Sequence, residues 1–213
     1  MTSTFWQAWH DRYEDPTSYL SRRLAVVQRR VRERLSAARP GAISVVSACA
    51  GHGRDLLEVL VDHSRRGDVV ARLIELDDGN AAVARASAGE LGLPSITVVT
   101  GDASTTDAYQ ASVPADLVLL CGVFGNVVDA DIERTIAVLP GLCARGASVI
   151  WTRHRQAPDL TPTIREWFVG NGFEESSFDA PEDVLFTVGV NTFIGEPQPF
   201  APGVRMFEFV EVG

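Results

Sequence analysis

Five short apolar runs, at residues 43–47, 69–75, 96–100, 114–124 and 146–154, are each followed by a turn. Segments of helical character follow most of them, at 54–65, 77–92, 129–143 and 161–172. Strands that alternate with helices close only as a parallel sheet with helices on both faces, joined by right-handed crossovers. Two further extended stretches, 183–195 and 204–213, stand on either side of the turn-rich "EPQPFAPG" and predict an antiparallel edge to that sheet. The sequence therefore predicts an α/β doubly wound sheet, mostly parallel, with an antiparallel C-terminal edge.

Ahead of the first run, Leu20, Leu24, Val27, Val31 and Leu35 recur at helical spacing. Pro40 and Gly41 end that helix. We divide the chain into a helical extension, residues 1–41, and a domain over 42–213. Between positions 22 and 39 stand seven arginines and one acid, Glu33. With an apolar stripe on the same helix, a solvated face offset by acid elsewhere is the expectation, rather than an RNA-binding arm. The overall charge of −9 also argues against nucleic acid as a partner. Three scattered cysteines suit neither a disulfide framework nor a metal pair, so no metal is expected. The first residues lack a secretory pattern, and no apolar stretch is long enough to span a membrane. We expect a cytoplasmic protein.

The turn after the first run reads "SACAGHG", at the carboxyl end of a strand, where open α/β sheets bind ligands. Gly51 and Gly53 let the backbone bend and approach a ligand, and the N–H groups of the next helix face it. Glu75 ends the second run, where a carboxylate can accept from both hydroxyls of a ribose. Asp77 and Asp78 lie beyond it and suit helix capping. Asp102, in "TGDAS", is placed to accept from an exocyclic amino group such as that of adenine. The small residues of "CGVFGN" leave room for a ligand's reactive end. A nicotinamide dinucleotide calls for a third glycine beneath its pyrophosphate. The corresponding position is Leu56 counted from Gly51, or Arg54 counted from Cys49. A phosphate-binding loop is excluded because the chain contains no lysine.

In order and spacing, "ISVVSACAGHG", "ARLIELD", "VVTGDAS", "ADLVLLCGVFGNV" and "GASVIWTRH" resemble the successive motifs of class I S-adenosylmethionine-dependent methyltransferases. The resemblance covers residues 43–154 and implies a Rossmann-like domain with S-adenosyl-L-methionine as cofactor. It implies that Cys49, Ala50, Gly51, Gly53, Glu75, Leu76, Asp102, Ala103, Gly122 and Val123 hold that cofactor. Two positions depart from the pattern: Ser47 replaces the family's acidic residue and Cys49 its first glycine. Backbone carbonyls at Ala48 and Gly122 are the substitutes expected for the methionine amino group.

Methyl transfer is an in-line displacement at a sulfonium, so the protein mainly aligns an acceptor and excludes water. A base is needed only where the acceptor must lose a proton. His154 is the candidate base and Arg153 the candidate partner of an anionic substrate; the alternative is a solvated loop. Phe5, Trp6, Trp9 and Tyr13 surround His10 in the first residues. The family often has an N-terminal lid, which would bring Trp9 and His10 to the substrate, and Tyr13 or Arg23 to the cofactor. The alternative is an amphipathic helix with a homodimer contact. Phe124 and Asn126 are candidate acceptor contacts, Asn126 equally a helix cap. The function expected is methylation of a small-molecule acceptor at N or O. The alternatives are an NAD(P)-dependent oxidoreductase and a non-catalytic nucleoside-binding module of the same fold.

Overall fold

The structure, a computed structural model, describes Asp15 and residues 18–210. Its seven strands are β1 (Ile43–Ala48), β2 (Val69–Glu75), β3 (Ile96–Thr100), β4 (Ala115–Leu120), β5 (Cys143–His154), β6 (Phe173–Asp179) and β7 (Phe186–Phe193). They form one sheet in the order β3-β2-β1-β4-β5-β7-β6. The first five run parallel, while β7 lies antiparallel between β5 and β6. Chain order reverses direction between β1 and β4, which opens a crevice past their carboxyl ends. The mostly parallel sheet with an antiparallel C-terminal edge is as expected.

The strands feed two cores because successive side chains point to opposite faces. Val46, Val118 and Val149 join one core, while Val45, Leu117 and Ile150 join the other. The helices are α1 (Tyr19–Ala37), α2 (Arg54–Leu57), α3 (Asp78–Glu90), α4 (Asp129–Val138) and α5 (Thr161–Gly170). Ile132 and Ile136 of α4 and Phe168 of α5 cover the first face. Val31 of α1, Leu57 of α2 and Ala84 of α3 cover the second. The stripe of α1 is fully used: Leu20, Leu24, Val27, Val31 and Leu35 are all buried. Four of its arginines face acid contributed from elsewhere. Arg29 and Arg30 both meet Asp179 at 2.7 Å, Arg32 meets Asp62 at 2.7 Å, and Arg22 meets Asp183 at 2.8 Å.

Three local expectations need correction. The helix predicted over 54–65 is only α2 followed by a 3-10 turn at Val59–Val61. Buried His63 interrupts it, its Nδ1 accepting from the Arg65 N–H and its Nε2 lying 3.1 Å from the Ser36 hydroxyl. The strand beside β7 is β6, "FEESSFD", whose polar composition hid it; an edge strand half open to water needs few apolar residues. The stretch at 204–210 is instead a strap. It touches the β3 side through a bridge between Thr105 and Arg205, and the β4 side through one between Val127 and Phe209.

Candidate functional site

The loop after β1 turns through three residues of positive φ: Cys49 at 53°, Gly51 at 55° and Gly53 at 73°. Left-handed backbone is easy for glycine and strained for other residues. Among the described residues Cys49 is the one non-glycine with positive φ. Gly53 is required twice, since a Cβ there would lie 2.8 Å from side-chain atoms of Leu57 and Leu73. The turn is tied to the sheet by the Ala50 N–H, which donates to the Ile74 carbonyl at 2.9 Å.

Glu75, at the end of β2, is 8% exposed and fixed by two backbone donors. Its Oε2 accepts from the Gly51 N–H at 2.7 Å and its Oε1 from the Asp77 N–H at 2.9 Å. A carboxylate has about four acceptor sites, so each oxygen can take one more donor. Asp77 is the N-cap of α3, its Oδ1 accepting from the Asn80 N–H at 2.9 Å.

These groups edge a cleft of about 320 Å³, open at the carboxyl ends of β1, β2 and β4. Its far end holds Asp55, Cys121 and Arg23. Burial raises the Asp55 carboxyl above its ordinary range, while Arg23 and a hydrogen bond with Cys121 oppose the shift. The Cys121 thiol is pushed well up, mainly by burial and then by the Asp55 charge, and so stays protonated. His52, on the turn, is held below its ordinary value by burial and by Arg54. The floor of the cleft is shaped by Gly122, at φ 80° with open space where a Cβ would stand. Its N–H donates to Thr152 Oγ1 at 2.8 Å, and its carbonyl accepts from Asn126 Nδ2 at 2.7 Å. The strap supplies the remaining wall: the Val210 N–H donates to the Asn126 carbonyl at 2.9 Å, which sets Phe209 into the cleft.

Of the residues singled out by sequence, the fold brings Cys49, Ala50, Gly51 and Glu75 together with Leu76, Gly122, Asn126 and Arg23. Leu76 presents an apolar surface that is 68% exposed. Gly53 lies beneath the turn rather than on the cleft wall. Asp102, Ala103, Val123 and Phe124 do not line the cleft. Asp102 is exposed beside it, with Oδ1 accepting from the Ser104 N–H at 2.8 Å and Oδ2 3.8 Å from Arg205. Ala103, Val123 and Phe124 are core residues, the Phe124 ring packed 5.9 Å from that of Trp151. Arg153 and His154, at the end of β5, do not line the cleft either and lie against the loop that carries Phe124 and Gly125. The Arg153 guanidinium donates to the Phe124 carbonyl and lies 3.6 Å from Asp129. Half-buried His154 abuts Gly125, its Nδ1 accepting from the Gln156 N–H at 3.3 Å. Trp9, His10 and Tyr13 lie outside the described residues.

Asp55, Asn80, Cys121 and Phe209 line the cleft without having been singled out. Asp55 carried a signal, an acid in the first turn of the helix after a glycine bend. Phe209 carried none, because its place depends on how the strap crosses the molecule. Among the described residues no His, Cys, Asp and Glu group could hold a metal ion, and no helix is long and apolar enough to cross a membrane.

No family model and no curated protein matches the chain. Solved structures do match it in fold. The magnesium protoporphyrin IX methyltransferase of Synechocystis PCC 6803, solved with S-adenosylmethionine bound, is 15% identical, with a TM-score of 0.67 over 89% of this chain and 91% of its own. An O-methyltransferase family protein of Burkholderia thailandensis is 16% identical, with a TM-score of 0.67 over 88% of this chain and 59% of its own. A TehB-like S-adenosylmethionine-dependent methyltransferase of Corynebacterium glutamicum is 16% identical, at 0.60 over 90% of this chain and all of its own. The fold is thus the Rossmann-like fold of class I methyltransferases, in agreement with the motif order of the sequence.

Proposed function

We propose that the chain is an S-adenosylmethionine-dependent methyltransferase acting on a small-molecule acceptor. The observation that carries this reading is Glu75. It is buried, oriented by two backbone donors, and turned to the cleft beside a glycine turn that lacks the third glycine of a dinucleotide site.

The donor set fits the cofactor. Each Glu75 oxygen has an acceptor site left for one ribose hydroxyl, and Leu76 offers an apolar face to a purine. Asp102 is the acceptor we assign to its amino group. At the other end, Asp55 and Arg23 provide one acid and one guanidinium for the ammonium and carboxylate of an amino-acid moiety. Asp55 thereby takes over from the acid missing at Ser47. When bound, the cofactor supplies an electrophilic methyl group on a sulfonium.

The protein's own part is to bind, orient and exclude water. Gly122 leaves the floor open, while Phe209 and Asn126 bound the side from which an acceptor enters. We assign Arg153 to orienting an anionic acceptor and His154 to taking a proton from it. Burial first, then Arg153, holds His154 below its ordinary pKa, so its imidazole is neutral at neutral pH, and Nδ1 takes the proton in exchange for its long bond from the Gln156 N–H. The net charge of −9 supports a small-molecule acceptor over a nucleic acid. Three unpaired thiols, Cys49, Cys121 and Cys143, suit the reducing cytoplasm.

Calorimetry tests the reading directly. S-adenosylhomocysteine is expected to bind and NAD not to bind. Glu75→Ala is expected to weaken binding by about 1.5–3 kcal/mol, the worth of a charged hydrogen-bonding group. Binding of NAD alone would indicate an oxidoreductase, and binding of neither a non-catalytic module.

A further inference from the structure

A second recess of about 320 Å³ lies at the opposite end of the sheet, against the amino ends of β1 and β4 and the first half of β5. Three arginines line it: Arg34 from the last turn of α1, Arg39 from the following loop, and Arg145 from the bend near Gly146. They stand out in a chain whose net charge is −9. The other arginines of α1 that point outward, Arg22, Arg29, Arg30 and Arg32, each meet a carboxylate. Arg34 meets none among the described residues, and its Nε is buried without a hydrogen-bond partner. A buried guanidinium N–H left unpaired is costly unless something else accepts from it.

The recess is built rather than incidental. Arg65 holds the loop before β1 by donating to the carbonyls of Ala38 and Arg39 at 2.9 Å and of Gly41 at 3.0 Å, which fixes the stretch that carries Arg39. The one acid on the wall, Asp116, is committed to the Ser44 N–H at 2.8 Å. Arg145 is anchored by Glu196 at 3.0 Å, an exposed pair that water already weakens. Ser148 and Thr192 add hydroxyls, and Leu35, Ile43 and Leu117 form an apolar floor.

We propose that this recess is a second binding site, for a small organic phosphate monoester whose phosphate is held by Arg34, Arg39 and Arg145. Guanidinium forks match phosphate oxygens in a two-toothed geometry. Arg34 and Arg39 have no carboxylate partner among the described residues, and Arg145 shares only an exposed one with Glu196, so the three forks suit a phosphate of about −1.5 to −2 charge better than a single carboxylate. The apolar floor suits the organic body. The site is independent of the cleft, and stands whether or not the cleft takes S-adenosylmethionine.

Titration calorimetry with phenyl phosphate tests it on the full chain. Saturable one-to-one binding is expected, weakened at least tenfold in Arg34→Ala and in Arg39→Gln. Arg39 is exposed, so its variant keeps the fold and guards against a misfolded Arg34→Ala. Binding is also expected to fall as salt rises. Absence of saturable binding, binding undiminished in Arg39→Gln and Arg145→Gln, or equal binding of succinate would each overturn the proposal.

Discussion

Glu75 and Asp55 are both acids of the cleft, yet only one was legible in the sequence. Glu75 ends an apolar run, and a strand end in an open α/β sheet is a ligand position whatever the surrounding detail. Asp55 stands in the first turn of a short helix, which marks it only as an acid at a helix start, and its approach to Arg23 depends on how α1 lies across the sheet. Asp102 shows the converse: its place after the third run was legible, but not its exposure or its neighbour Arg205. Cys49 can be tested as the strained hinge of the turn. Its φ of 53° costs a non-glycine residue about 1–2 kcal/mol. Cys49→Gly removes that strain and one half-buried thiol, so its stability is expected within about 1 kcal/mol of the parent in urea unfolding. Cys49→Val places a β-branched side chain at the same φ and is expected to lose more than about 2 kcal/mol. For His154, the base must be neutral, and burial, then Arg153, lowers its pKa from the ordinary histidine value. The rate is therefore expected to be flat at neutral pH and to fall only on the acidic side of the ordinary histidine range. A break above pH 7 in kcat/KM would assign the proton transfer to another group.

Strands with continuous apolar runs were readable because burial on both faces demands such residues. The edge was not, because β6 meets only β7 and leaves its other side to water. The strap looked like a strand for a related reason: Met206 and Phe207 are apolar because they pack in the core beneath α4, not because they extend the sheet. The join between β5 and β7 tolerates little change at its centre. Gly189 stands opposite Trp151, and a Cβ there would lie 2.2 Å from the indole. The ring cannot retreat, because it stacks on Phe168 at 5.7 Å and its Nε1 donates to Asn191 Oδ1 at 2.8 Å. Gly189→Ala is expected to destabilise the fold by about 3 kcal/mol or more, read as a lower urea midpoint.

At the scale of the whole molecule, one sheet keeps two recesses at opposite ends. The cleft draws on the carboxyl ends of β1, β2 and β4, and the arginine recess on the amino ends of β1 and β4. Helix α1 reaches both, with Arg23 at one and Arg34 at the other. A ligand that binds only the folded chain raises its stability by mass action. S-adenosylhomocysteine at a hundred times its dissociation constant is expected to add about 2.7 kcal/mol, read as a higher melting temperature. NAD at the same concentration is expected to leave that temperature unchanged. The packing of Trp151 gives the molecule an optical gauge of its own. The indole has no exposed surface and lies three positions before His154 on the same strand. In a chain whose other tryptophans, Trp6, Trp9 and Trp167, are replaced by phenylalanine, its fluorescence should sit at the short-wavelength end of the tryptophan range, and the drift toward longer wavelength on heating times the parting of β5 from β7.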